Sequence, residues 1–123
     1  MSEARAPKPL FWVASTRKDL KALPEQVQDV FGYALYLAQT GGKHLDAKPL
    51  RGFDGAGVLE VVEEYQGNAF RAVYTVKFAR AVYALHVFQK KSASGIATRQ
   101  TDIDVIKQRL KAAQAHYLQE FGQ

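Results

Sequence analysis

The sequence predicts one α+β domain, with helices packed on a small, mainly antiparallel sheet. Two patterns carry this expectation. Apolar residues recur every three or four positions at Val27, Val30, Phe31, Ala34, Leu35 and Ala38, and again at Ile103, Ile106, Leu110, Ala113 and Tyr117, which is the period of an amphipathic helix. Between these stripes lie three runs rich in β-branched and aromatic residues, Val58 to Tyr65, Ala69 to Phe78 and Ala81 to Lys90, separated by short turn signals as in consecutive hairpins. Helices on either side of a block of adjacent strands indicate α+β rather than an alternating parallel sheet. The chain's 123 residues, 47% of them hydrophobic, suit a single domain over 1–123 with enough apolar surface for a core.

Taken in order, residues 1–9 carry two prolines and alternating charge and read as a loose tail. Leu10 to Val13 is a short apolar run, suited to an edge or first strand. Ser15 or Thr16 can cap a basic helix from Arg17 to Leu23. Pro24 then opens the longer helix bearing the first stripe, and Gly41-Gly42 closes it. The stripe reads as core. From Gly41 to Gly57 the chain is rich in Gly and Pro, an ordered loop able to present Lys48 and Arg51. Its Gly55-x-Gly57 lacks the third glycine and the strand-turn-helix setting of a nucleotide-binding loop. Gly67-Asn68 and Ala79-Arg80 are read as the two hairpin turns of a three-stranded meander. A Ser92 to Gly95 link follows, with Thr98 or Thr101 capping the last helix.

Charge is distributed unevenly. Residues 1–64 hold eight basic and nine acidic side chains and residues 65–123 hold nine and three, so the halves carry −1 and +6. From Tyr65 to Thr101 there are six cations and no carboxylate, a distribution that points to an anionic partner. The absence of cysteine excludes disulfides, thiol nucleophiles and Cys-ligated metals. His44, His86 and His116 lack metal-ligand spacing. No metal or other cofactor is expected, no membrane span or signal peptide is read, and the expected setting is soluble and cytoplasmic.

A two-residue Ala79-Arg80 turn would place Arg71 opposite Phe88 and Val73 opposite His86. Alternation then collects Arg71, Val73, Thr75, Lys77, Val82, Ala84, His86, Phe88 and Lys90 on a working face, and Phe70, Ala72, Tyr74, Val76, Phe78, Tyr83, Leu85 and Val87 on a core face. The same rule across Gly67-Asn68 pairs Glu64 with Arg71. A cluster of Arg, Lys and His can bind a phosphate and transfer the protons of RNA cleavage through the adjacent 2′-hydroxyl. Arg71 suits the phosphate bidentately. His86 titrates nearest neutrality, a crowded lysine has a lowered pKa, and Phe88 offers a ring on which an unpaired base can stack.

The strands Val58-Leu59-Glu60-Val61, Phe70-Arg71-Ala72-Val73-Tyr74 and Leu85-His86-Val87-Phe88-Gln89-Lys90-Lys91, followed by the helix from Thr98 to Leu110, resemble the RelE/ParE toxin superfamily, in particular its HigB-like, phage-derived branch. The resemblance covers nearly the whole chain. It implies a RelE-like, microbial-RNase-like α+β fold and a toxin of a type II toxin–antitoxin pair that inhibits translation by cutting mRNA, commonly on the ribosome. It also implies neutralisation by a small antitoxin with a helix-turn-helix domain. Arg71 matches the family's strand arginine, and Phe88, Lys90 and Lys91 match its Phe-x-Lys-Lys strand end. The expected catalytic set is Arg71, His86, Lys90 and Lys91; the expected substrate-binding set is Lys48, Arg51, Lys77, Arg80, Phe88 and Arg99. The ParE branch, which inhibits DNA gyrase without cutting RNA, supplies the alternative, alongside a remnant that only binds nucleic acid or antitoxin.

Overall fold

The central strand-forming runs are apolar at successive positions, so a sheet built from them must be covered on both faces. The computed structural model describes residues 6–90 and 99–122. Its elements are β1 (Leu10–Trp12), α1 (Thr16–Lys21), α2 (Glu25–Gln39), β2 (Lys48–Pro49), β3 (Val58–Tyr65), β4 (Asn68–Thr75), β5 (Val82–Lys90) and α3 (Gln100–Phe121). The strands form one sheet in the order β1-β5-β4-β3-β2, with β1 parallel to β5 and every other pair antiparallel. β4 lies at the centre, and every residue from Ala69 to Thr75 is buried.

Each face has its own core. The predicted stripe of α2 packs with Leu20 of α1 against Val61, Phe70, Ala72, Tyr74, Val82, Ala84 and Val87. Across the sheet, Ile106 and Ala113 of α3, flanked by Ile103, Leu110 and Tyr117, pack on Val58, Val73, Tyr83 and Leu85. Both helical stripes are therefore core. α3 starts after Arg99, whose extended backbone makes it the N-cap. Thr101 lies inside the first turn, and Thr98 falls outside the described residues. At the far end Gly122, at φ 72°, donates its N–H to the Leu118 carbonyl at 2.8 Å, a left-handed stop that glycine adopts without steric cost. The 41–57 loop is ordered as expected, and additionally contributes β2.

Two turn assignments need correction. The first hairpin turns on Gln66-Gly67, with Tyr65 opposite Asn68. Both turn residues have positive φ, 51° and 80°, as a right-twisted two-residue hairpin demands. Arg71 consequently lies opposite Val62, not Glu64. The second connection is longer than Ala79-Arg80, leaving β4 after Thr75 and re-entering at Val82. Thr75 pairs with Tyr83 and Tyr74 with Ala84, then the register shifts, so Val73 meets His86 and Arg71 meets Phe88 as expected. Leu85 is the extra residue, a β-bulge. The bulge reverses the expected faces of Val82, Ala84, Tyr83 and Leu85: the first two join the α2 core, the last two the α3 core; Phe78, expected beside Phe70 and Tyr74, lies in the connection beyond β4 and also joins the α3 core.

Candidate functional site

On the α3 face, the end of the sheet away from the β4–β5 connection forms a small lattice. Side chains directly opposite on paired strands share a face at about 5 Å separation. One row runs Lys48, Glu60, Val73, His86; the next runs Val62, Arg71, Phe88; the last runs Glu64, Ala69, Lys90. Arg71, Phe88, Lys90 and His86 are thus brought together, with Lys48 at the rim. Lys91 falls outside the described residues, directly after Lys90.

The site is less purely cationic than the charge map suggests. Carboxylates enter it from elements flanking the acid-free stretch. Arg71 Nη1 donates to Glu60 Oε2 at 2.7 Å, the two side chains retaining only 10% and 14% exposure. Arg71 itself is 8% exposed and Lys90 5%, and cations this buried require nearby charge or hydrogen-bond compensation. Burial lowers the Lys90 pKa from its ordinary 10.5; neighbouring Arg71 lowers it further and Glu60 opposes. An ammonium so placed gives up its proton more readily than a surface lysine.

His86 is held between the sheet and α3. Its Nε2 lies 2.9 Å from Asp102 Oδ1, and its Nδ1 lies 3.4 Å from Arg109 Nη1. Burial lowers its pKa, the Asp102 hydrogen bond raises it, and the Arg109 charge lowers it again. A neutral imidazole that donates from Nε2 to the carboxylate and presents Nδ1 to the guanidinium satisfies both contacts. Its ring stacks on Phe88 at 4.3 Å and 21°. Arg109 also donates to the Leu85 carbonyl at 3.0 Å, the bulged residue that has no cross-strand partner in the ladder. The bulge that re-aims β5 thereby ties it to α3.

The remaining substrate-binding candidates separate. Arg99 stands at the start of α3, 63% exposed, 3.9 Å from Asp102. Lys77 and Arg80 occupy the β4–β5 connection at the opposite end, about 20 Å from Arg71 at roughly 3.3 Å per residue. Arg51 is exposed and follows Leu50, which bonds to Val58 at that same end of β3. Three residues absent from the expected sets belong to the lattice: Glu60, Asp102 and Arg109. Alternation from the correct Gln66-Gly67 turn would have placed Glu60 beside Arg71. The spacing of Asp102, Ile106, Arg109 and Ala113 puts both charged residues on the buried stripe of α3.

A groove of about 280 Å³ between β1 and α3, lined by Phe11, Trp12, Tyr83 and His116 among others, contains none of the candidates. Among the described residues no three His, Asp or Glu side chains group as a metal site, and no helix is long and apolar enough to cross a membrane.

The family model described as "Phage derived protein Gp49-like (DUF891)" matches residues 18–111. No curated protein matches the sequence. Among solved structures, the free-state toxin RelE of E. coli, bearing two arginine-to-alanine substitutions, is 17% identical over 87% of this chain and 98% of that one, with a TM-score of 0.54. The toxin–antitoxin complex RelBE2 from Mycobacterium tuberculosis is 20% identical over 74% of this chain and 100% of that chain, with a TM-score of 0.46. The likeness to RelE is one of fold: an α+β domain with a mostly antiparallel five-stranded sheet.

Proposed function

Because the chain belongs to the Gp49-like family of phage-derived proteins and shares the fold of RelE, we propose that it is the toxin of a type II toxin–antitoxin pair and inhibits translation by metal-independent cleavage of mRNA, in the cytoplasm and on the ribosome. A small antitoxin, expected to carry a helix-turn-helix domain, would neutralise it. One observation carries the reading: Arg71, Glu60, Lys90 and Phe88 meet at one end of one sheet face, with Arg71 and Glu60 2.7 Å apart.

The chemistry follows from those groups. Arg71 faces the scissile phosphate and stabilises the charge it gains as the 2′-oxygen attacks phosphorus. Glu60, already against Arg71, accepts the 2′-hydroxyl proton. Lys90, its pKa lowered by burial, protonates the departing 5′-oxygen, and Lys91 clamps the backbone beside it. The products are a 2′,3′-cyclic phosphate and a 5′-hydroxyl. Phe88 supplies the stacking surface for a neighbouring base. His86, with both ring nitrogens engaged, acts as a positioning residue that backs the Phe88 ring.

Purified protein, ribosomes and a reporter mRNA, with 5′ ends mapped after incubation, test the proposal. Discrete cuts bearing 5′-hydroxyl ends are expected. An intact message would overturn it and direct the assay to gyrase supercoiling.

A further inference from the structure

Lys77 and Arg80 do not join the Arg71 lattice, yet their surroundings are built in a particular way. Lys77 Nζ lies 5.9 Å from the Phe78 ring, and Arg80 Cζ lies 4.8 Å from the Phe121 ring. Phe78 stacks on Tyr117 at 4.5 Å and 27°, and Tyr117 meets Phe121 at 4.8 Å. A groove of about 250 Å³ opens beside Phe78 and Tyr117, lined also by Lys77, Ala79, Gln114 and Leu118. No carboxylate lines it, and neither cation forms an ion pair among the described residues. Leu118 is 52% exposed at its margin.

The half-buried Tyr117, the lining cation Lys77 with Arg80 close behind it in sequence, and one side-chain amide match an unpaired nucleotide. A base lies against the accessible part of Tyr117, Gln114 meets a base edge, and the cations hold the flanking phosphates. We propose that this groove is a second RNA contact, which takes a single-stranded segment of RNA about 20 Å from Arg71 and, resting on the nuclease reading above, holds the protein on ribosomal RNA while the Arg71 lattice engages the message. Charge complementarity favours RNA because Lys77 lines the groove, Arg80 follows its lining residue Ala79, and no carboxylate is among the lining residues.

Two readouts test this: fluorescence anisotropy with labelled oligoadenylate, and co-sedimentation with ribosomes free of message, each over a salt series. Lys77→Gln with Arg80→Gln is expected to weaken both about tenfold and to reduce the slope of log affinity against log salt by about 1.4, at about 0.7 per phosphate contact on a single strand. Gln114→Glu, an exposed change that leaves the rings packed, is expected to weaken both as well. Lys18→Gln with Lys21→Gln removes the same charge from α1 and should change neither. Wild-type affinity and slope in the groove variants would overturn the proposal. So would a polyglutamate peptide that binds the wild type as tightly as the RNA and is lost on the same variants, since that assigns the groove to an acidic protein. Message cutting by the wild type, followed in parallel, separates the two claims: groove-dependent binding with an intact message removes the nuclease reading alone, and cutting with groove-independent binding removes the groove alone.

Discussion

Arg71→Ala is the obvious test of the site, and the structure shows why it must not be made alone. The substitution leaves the Glu60 carboxylate at 14% side-chain exposure without the guanidinium 2.7 Å away. Breaking a fully buried pair from one side costs about 3–5 kcal/mol, and the residual exposure here lets water reach Glu60, which reduces the expected cost to about 2–3 kcal/mol. At about 4 °C per kcal/mol for a chain of this size, melting should fall by about 8–12 °C. Glu60→Ala takes this carboxylate away from the buried Arg71 guanidinium and should cost a similar amount. The double variant removes both charges, so its loss should resemble that of one single change, giving a coupling energy of about 2 kcal/mol. Thermal and urea unfolding of the four proteins measure the cycle, and message cutting is followed at a temperature where all four are folded. Cutting should vanish in all three variants. Losses that add to within about 0.5 kcal/mol would refute the coupling, and a folded double variant that still cuts would remove Arg71 and Glu60 from the chemistry.

Three further outcomes are expected. Burial holds the His86 pKa below its ordinary 6.5, against the raising hydrogen bond of Asp102, so on acidification the unfolded chain takes up this proton first. His86 therefore contributes stability that is complete above pH 6.5 and is lost as pH falls toward the folded value; melting curves between about pH 7.5 and 5.5 should show the decline, and His86→Gln should flatten it. Gly57, at φ 60°, would bring a Cβ within 3.0 Å of the Lys77 backbone nitrogen, whereas Gly55, at φ 76°, faces open space. Gly57→Ala should cost about 2–3 kcal/mol in urea unfolding and Gly55→Ala about 1 kcal/mol; equal losses would show that the close approach does not matter. Gln66 holds φ 51° in the first hairpin turn, so Gln66→Asn should stabilise by about 0.5–1 kcal/mol, read as a rise in melting temperature.

The fold was largely legible because the helix and strand periods are uninterrupted where packing requires them. The stripes at Val27 to Ala38 and Ile103 to Tyr117 are the faces that enter the two cores. Register was harder. Gly67-Asn68 carries stronger turn propensity than Gln66-Gly67, yet the turn that twists with the strands needs positive φ at two successive residues, and Gln66 accepts it. That one-residue difference hid Glu60 behind Glu64. The Leu85 bulge has no propensity signal of its own. It is stabilised from elsewhere in the chain, by the Arg109 hydrogen bond to its carbonyl, so a strand-by-strand reading assigns the wrong face to four residues. Arg71 opposite Phe88 was recovered because both lie beyond the bulge, where the expected pairing resumes.

The +6 half of the chain suggested a bare cationic surface, but the lattice carries its own counter-ions. Arg71 holds Glu60, Arg99 lies 3.9 Å from Asp102, and His86 shares that same carboxylate. A phosphate arriving at such a site competes with Glu60 for Arg71, so ground-state binding there gains little from the arginine. On the proposed chemistry the balance changes when Glu60 accepts the 2′-hydroxyl proton. The carboxylate is then neutral, its hold on Arg71 weakens, and the phosphorus centre gains a negative charge in the same step. Arg71 transfers from carboxylate to phosphorane as the barrier is crossed, an interaction stronger in the transition state than in the substrate complex, which is the kind that accelerates a reaction. Long-range attraction of RNA then falls to exposed cations at the lattice rim and beyond it, Lys48, Lys77 and Arg80 among them, whose field is screened over about 8 Å at physiological salt. Salt should accordingly weaken association far more than it slows cutting by protein already bound.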